Sequence, residues 1–118
     1  MAHNIVWFEV MGQDGDKMRS FYGGLFGWSF DVLPEMDYGL TKCDETGVPG
    51  GIGSLPSGKG WNTFYVSVDN LEEKIAAATS GGGDVLLPAT ELSDGGRVAV
   101  VSDPEGRPLG LFEQAPSA

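Results

Sequence analysis

Apolar residues in this chain alternate with polar ones in short runs, and two stretches switch to helical spacing. Ile5 to Val10 is an apolar run of strand length, with Val6, Phe8 and Val10 on one face and Ile5, Trp7 and Glu9 on the other. Asp14 or Asp16 can cap a helix whose apolar positions, Met18, Phe21, Tyr22, Leu25 and Phe26, follow the i, i+3, i+4, i+7 spacing of a buried stripe. Gly23 and Gly24 weaken that helix, so packing has to support it, and Gly27 ends it. Ser29 to Leu33, Tyr38 to Cys43 and Val48 to Leu55 read as strands, followed by a linker, Pro56-Ser57-Gly58-Lys59-Gly60.

The same order then returns. Thr63 to Val68 alternates, with Phe64, Val66 and Val68 on one face and Thr63, Tyr65 and Ser67 on the other. Asp69 with Glu72 forms a capping box for a helix with the stripe Leu71, Ile75 and Ala78, and Gly81 to Gly83 stop it. Asp84 to Leu87, Arg97 to Ser102 and Leu109 to Glu113 supply three more strands. Val6, Phe8, Phe64 and Val66 are expected to pack under the helices.

A duplicated module explains the recurrence. Asp44, Gly47, Pro49, Gly51 and Ile52 match Asp103, Gly106, Pro108, Gly110 and Leu111 in order and without a gap. Each copy reads as a hairpin turn leading into a strand. Asp31-Val32-Leu33-Pro34 likewise recurs as Asp84-Val85-Leu86-Leu87-Pro88. The reading is one domain, residues 1–118, of two strand-helix-three-strand modules spanning about 3–57 and 60–114.

Charge narrows the partners. Seven Lys plus Arg against seventeen Asp plus Glu give a formal net charge of -10. Such a chain repels phosphate backbones and anionic membrane surfaces, which argues against nucleic acid and membrane partners and in favour of a cationic small molecule. Acidity kept for solubility is the plainer explanation of the same number. The single cysteine, Cys43, fits a reducing compartment, and no apolar run approaches the ~20 residues of a membrane span, so the chain reads as soluble and cytoplasmic.

The motifs together resemble the vicinal oxygen chelate (VOC) superfamily, which includes glyoxalase I, bleomycin resistance proteins and extradiol dioxygenases. The likeness is carried by Phe21-Tyr22 with Leu25-Phe26-Gly27-Trp28, by Val66-Ser67-Val68-Asp69, and by Asp103-Pro104-Glu105-Gly106. It implies an α+β fold of two tandem βαβββ modules whose curved sheets surround a cleft, and a homodimer that covers the sheet edges. It does not imply one reaction, since the fold hosts several.

Metal-dependent members of the family carry His or Glu on the first and last strands of each module. Aligning the first strands on Val10 and Val68 selects Ile5 and Thr63, and the repeated turn selects Gly51 and Gly110. None is a competent ligand, so no divalent metal and no other cofactor is expected. His3, the only histidine, lies six residues from Glu9, roughly 20 Å along an extended strand, too far to share one ion.

The expected ligand-binding set is Trp7, Glu9, Thr63, Tyr65, Ser67, Gly51 and Gly110, an aromatic surface with one carboxylate and several hydroxyls. The glycines either admit a ligand to the backbone or make room for Trp7 or Tyr65. Glu9 is the one weak catalytic candidate. It reads as a recognition anion for a cation, as a general base, or as a structural acid held by Arg97 or a backbone donor. Cys43 as a nucleophile lacks a histidine to activate it, and reads instead as core filling on a strand. Gly50 to Gly53 and Gly81 to Gly83 lack the spacing and Lys of a phosphate loop and read as turn and cap. The favoured function is binding of a cationic, partly aromatic molecule in the manner of a bleomycin (antibiotic) resistance protein. The alternatives are a metal-independent enzyme using Glu9, and a metal-dependent lyase or dioxygenase with displaced ligands.

Overall fold

Period-two alternation from Ile5 onward becomes strand β1, Ile5–Gly12, in a computed structural model that describes residues 3–55 and 60–116. Helix α1, Gly15–Phe26, begins where the Asp14 side chain accepts a hydrogen bond from the Lys17 backbone N–H and ends where Gly27 takes φ 76°. Strands β2 (Phe30–Leu33), β3 (Tyr38–Thr41) and β4 (Gly50–Ser54) follow. A 3₁₀ turn, Pro34–Met36, and a one-turn helix α2, Cys43–Thr46, interrupt them. The order then repeats as β5 (Trp61–Val68), α3 (Leu71–Ser80), β6 (Val85–Glu91), β7 (Arg97–Ser102) and β8 (Pro108–Glu113). The fold is α+β, with the βαβββ order occurring twice.

Two compact units result, one running from Trp7 to Thr63 and the other joining the residues up to Val6 with those from Phe64 onward. In the first, the strand order is β2-β3-β4-β1, with β1 parallel to β4 and the other neighbours antiparallel. In the second, the order is β5-β8-β7-β6, with β5 parallel to β8. The early residues belong to that second unit because the Ser67 N–H donates to the Asn4 carbonyl at 2.8 Å.

The second unit is built as its pattern suggests. Val68, Leu71, Ala99, Val101 and Leu111 form its core, with Val66, Ile75 and Ala78 packed against them. Arg97 of β7 ties the start of α3 to β8: it pairs with Glu72 and Glu113, and Glu113 also accepts from the Leu71 backbone N–H. Glu72 is therefore an ion-pair partner and not half of a capping box. The cap is Asn70, whose side chain accepts from the Glu73 N–H. Phe64, expected under α3, is instead exposed.

The first unit departs further. Phe21, Leu25 and Phe26 are 62%, 59% and 56% exposed, so the apolar stripe of α1 is not buried. The helix presents its Gly15 and Arg19 side to β3 and β4, while Gly23 lies against Trp28 and Phe30. Arg19, 6% exposed, donates to the carbonyls of Asp37 and Ile52 and to the carboxylates of Asp16 and Asp37. A buried guanidinium has to satisfy its donors, and that requirement outweighs the stripe in orienting α1. Glycine-rich Gly50 to Gly53 is strand β4, not a turn. The two copies of the Asp-x-x-Gly repeat also differ. Asp103 holds a tight turn by accepting from the N–H groups of Glu105 and Arg107, whereas Asp44 lies inside α2, which Gly47 caps. Cys43 opens that helix and is exposed, so it fills no core. Most of the expected linker, residues 56–59, lies outside the described residues.

Candidate functional site

Strand β1 turns Trp7 and Glu9 to one face and Phe8 and Val10 to the other, as its alternation requires. Phe8 meets Trp28, just beyond α1, at 6.3 Å between ring centres, which fixes the parity. On the Glu9 face, two residues that the sequence reading missed complete a network. Tyr38 Oη donates to Glu9 Oε2 at 2.9 Å and accepts from Trp7 Nε1 at 2.9 Å. Trp61 Nε1 donates to Glu9 Oε1 at 2.9 Å. Glu9 is 8% exposed, so a carboxylate is enclosed by three aromatic rings, two of which donate to it. Arg97, the suspected holder of Glu9, is engaged in the other unit with Glu72 and Glu113.

The glycines of β4 are seats for these rings. A Cβ on Gly51 would lie 2.1 Å from Tyr38 Cε2 and Cζ, and one on Gly53 would lie 2.9 Å from Tyr38 Cδ1. Tyr38 thus lies across Gly51 and Gly53, while Gly50 on the opposite face makes way for Phe8, whose ring a Cβ there would meet at 2.2 Å. The same device occurs in the second unit, where Gly110 stands opposite Tyr65 and a Cβ on it would meet the ring at 2.5 Å. Both glycines at positions expected to carry metal ligands therefore have a steric reason. The partner of Gly51 is Tyr38, not Trp7. Tyr65, 6% exposed, offers a ligand almost no surface.

Strand pairing also corrects the alignment of the modules. Val10 stands opposite Ile52 and Val66 opposite Leu111, so Val10 corresponds to Val66 and not to Val68. The counterpart of Thr63 is then Trp7 in place of Ile5. Indole is no better a ligand than isoleucine, and among the described residues no group of three or more His, Cys, Asp or Glu could hold a metal ion. His3 is exposed ahead of β1. Of the expected site residues, Trp7, Glu9 and Gly51 come together with Tyr38 and Trp61 in the first unit, and Tyr65 pairs with Gly110 in the second. Thr63 is half-buried on β5, and Ser67 is half-buried beside β8 in the second unit. Trp61 was legible in principle, since it shares the parity of Thr63 and Tyr65. Tyr38 was not, because only strand pairing places it over β4.

Burial and charge tune this neighbourhood. Burial, with the adjacent Glu9 charge, pushes the Tyr38 hydroxyl well above its usual range, so it stays a protonated donor. Behind it, the Asp37 carboxyl is held below the usual range by hydrogen bonds from Ser54 and then Arg19. An open hollow of about 360 Å³ lies on the other side of the unit, between α1 and β2, walled by Trp28, Phe30 and Val32. The guanidinium at its edge, Arg19, already has both Nη atoms engaged, so we place no chemistry there.

Fold and sequence likeness together support membership of the vicinal oxygen chelate superfamily of glyoxalases, bleomycin resistance proteins and dioxygenases. Among its relatives is CFP32 of Mycobacterium tuberculosis, which its name describes provisionally as a glyoxylase. The two are 30% identical over 117 residues, 91% of this chain and 44% of that protein. The anthracycline biosynthesis protein DauV of Streptomyces sp. strain C5 is 26% identical over 129 residues, 92% of this chain and 46% of that protein. The chain spans less than half the length of these curated relatives. A solved glyoxalase/bleomycin resistance protein/dioxygenase superfamily member from Vibrio splendidus superposes with a TM-score of 0.65 at 17% identity, covering 96% of this chain and all of that one. At that identity the likeness speaks for the fold alone. No protein-family model matches the chain. Among the described residues no helix is long and apolar enough to cross a membrane.

Proposed function

We propose that the protein binds a small, cationic, partly aromatic molecule without a metal, using Glu9 as the recognition anion and the rings of Trp7 and Trp61 as walls. The carrying observation is the enclosed Glu9 carboxylate with indole and phenol donors on its two oxygens. These donors orient the carboxylate. A desolvated cation over such rings gains on the order of 1 to 2 kcal/mol. A charge-assisted bond to Glu9 adds roughly 1.5 to 3 kcal/mol before desolvation is subtracted, which suits modest, salt-sensitive binding. The net charge of -10 favours a cation at long range. A relative named for anthracycline biosynthesis is in keeping with this ligand class. The working form is a homodimer in a reducing compartment, with Tyr65 and Gly110 in a structural role.

Calorimetric titration with a planar aromatic cation and its neutral isostere tests the reading. Glu9→Gln is expected to weaken the cation and leave the neutral compound nearly unchanged. Equal loss for both, or a metal-to-protein ratio near one after purification without chelator, overturns it. Light scattering at micromolar protein that gives only the monomer mass removes the dimer.

The second reading is catalysis with Glu9 as general base. It is favoured by the enclosure of the carboxylate, but Glu9 Oε2 already accepts from Tyr38 and Oε1 from Trp61, which leaves fewer lone pairs for a substrate proton.

A further inference from the structure

We propose that Tyr38 is the specificity-determining residue of this site, selecting cations over neutral molecules by fixing where the Glu9 charge points. The inference rests on the binding reading above and deepens it. A glutamate has three side-chain torsions and on its own presents a diffuse charge. Tyr38 removes that freedom because its hydroxyl is held from both sides, accepting from Trp7 Nε1 and donating to Glu9 Oε2, while Trp61 holds Oε1.

Tyr38 can impose this geometry because it is itself fixed. Its ring is seated on Gly51 and Gly53, where no side chain competes. The preceding residue, Asp37, has φ 47° and ψ 50°, a left-handed conformation uncommon outside glycine, asparagine and aspartate, which its surroundings can hold in place. Here they do. Arg19 donates to both the carbonyl and the carboxylate of Asp37, Ser54 Oγ donates to the same carboxylate, and the Gly15 N–H donates to Ser54 Oγ at 2.6 Å. A clip between α1, β3 and β4 thus sets the direction in which β3 starts, and Tyr38 is its first residue.

Tyr38→Phe keeps the ring on its glycine seat and deletes the hydroxyl. The probes are N-methylacridinium and neutral acridine at mildly alkaline pH, each titrated into the wild-type and variant proteins, with the ratio of the two Kd values as the readout. The wild type should prefer the cation, and Tyr38→Phe should lower that preference about five- to tenfold, the scale of one hydrogen bond to a charged group. Trp7→Phe, which leaves Tyr38 anchored only to Glu9, should lower it by less, and serves as the test if Tyr38→Phe does not fold. A merely structural Tyr38 would weaken both ligands alike. A wild type without cation preference overturns the binding reading and this inference together, whereas a preference retained in the variants overturns the role of Tyr38 alone.

Discussion

Gly51→Ala should damage the site and the fold together, although it adds a single methyl group. The new Cβ would lie 2.1 Å from Tyr38 Cε2 and Cζ and 2.2 Å from Tyr38 Oη. Ordinary carbon contact begins at ~3.5 Å, so the end of the ring has to move by more than 1 Å. Its hydrogen bonds to Trp7 and Glu9 oppose that movement. Moving the ring gives up a neutral hydrogen bond, about 1 kcal/mol, and one to a carboxylate, about 1.5 to 3 kcal/mol, for a total of about 2.5 to 4 kcal/mol. For a domain of this size that lowers Tm by roughly 10 to 16 °C. Urea unfolding of the wild type, Gly51→Ala, Tyr38→Ala and the double variant provides a thermodynamic cycle. With the ring gone the three atoms nearest the methyl group are gone too, so Gly51→Ala should be neutral or slightly stabilising in the Tyr38→Ala background, given the entropy cost of glycine in a strand. A single variant within about 0.5 kcal/mol of wild type, or the same loss in both backgrounds, refutes the seat.

Two further outcomes follow from the charged clips. Arg19→Met should cost about 2 kcal/mol, below the range for breaking a fully buried pair because Asp16 and Asp37 keep access to water, and urea titration reads it directly. If the clip also aims Tyr38, the same variant should reduce the cation preference of the ligand assay. The second outcome is pH dependence. Hydrogen bonds from Arg97 pull the Glu72 carboxyl down to about 2, and bonds from the Leu71 N–H and then Arg97 lower Glu113. Carboxyls depressed in the folded state stabilise it above their unfolded pKa of ~4.3, and that stability is lost as pH falls through the folded values. Tm should therefore be flat from neutral pH to about 5 and fall from there toward about 2, with a shallower fall in Arg97→Met and in high salt. An identical acid slope in that variant would remove Arg97 from the explanation.

Period-two and period-3.6 patterns were enough to locate both modules, because burial of one strand face or one helix stripe is a local constraint written into spacing. The face of β1 that carries Trp7 and Glu9, the Leu71-Ile75-Ala78 stripe and the Gly27 stop are all legible in this way. The absence of metal-ligand residue types at Gly51, Gly110 and Thr63 needed only the alignment of the repeats. Three features were decided by the tertiary structure alone. The phase of α1 was set by Arg19, whose buried donors seek Asp37 and the Ile52 carbonyl and so leave Phe21 and Leu25 exposed. The two-residue shift between the first strands of the modules was set by backbone pairing, which side-chain pattern does not encode when a slip of two preserves the face. The partners of Glu9 came from β3 and from the start of β5, at separations of 29 and 52 residues, where no spacing rule reaches. Local periodicity tells each residue which way to face, but only the paired strands decide which side chain it meets there.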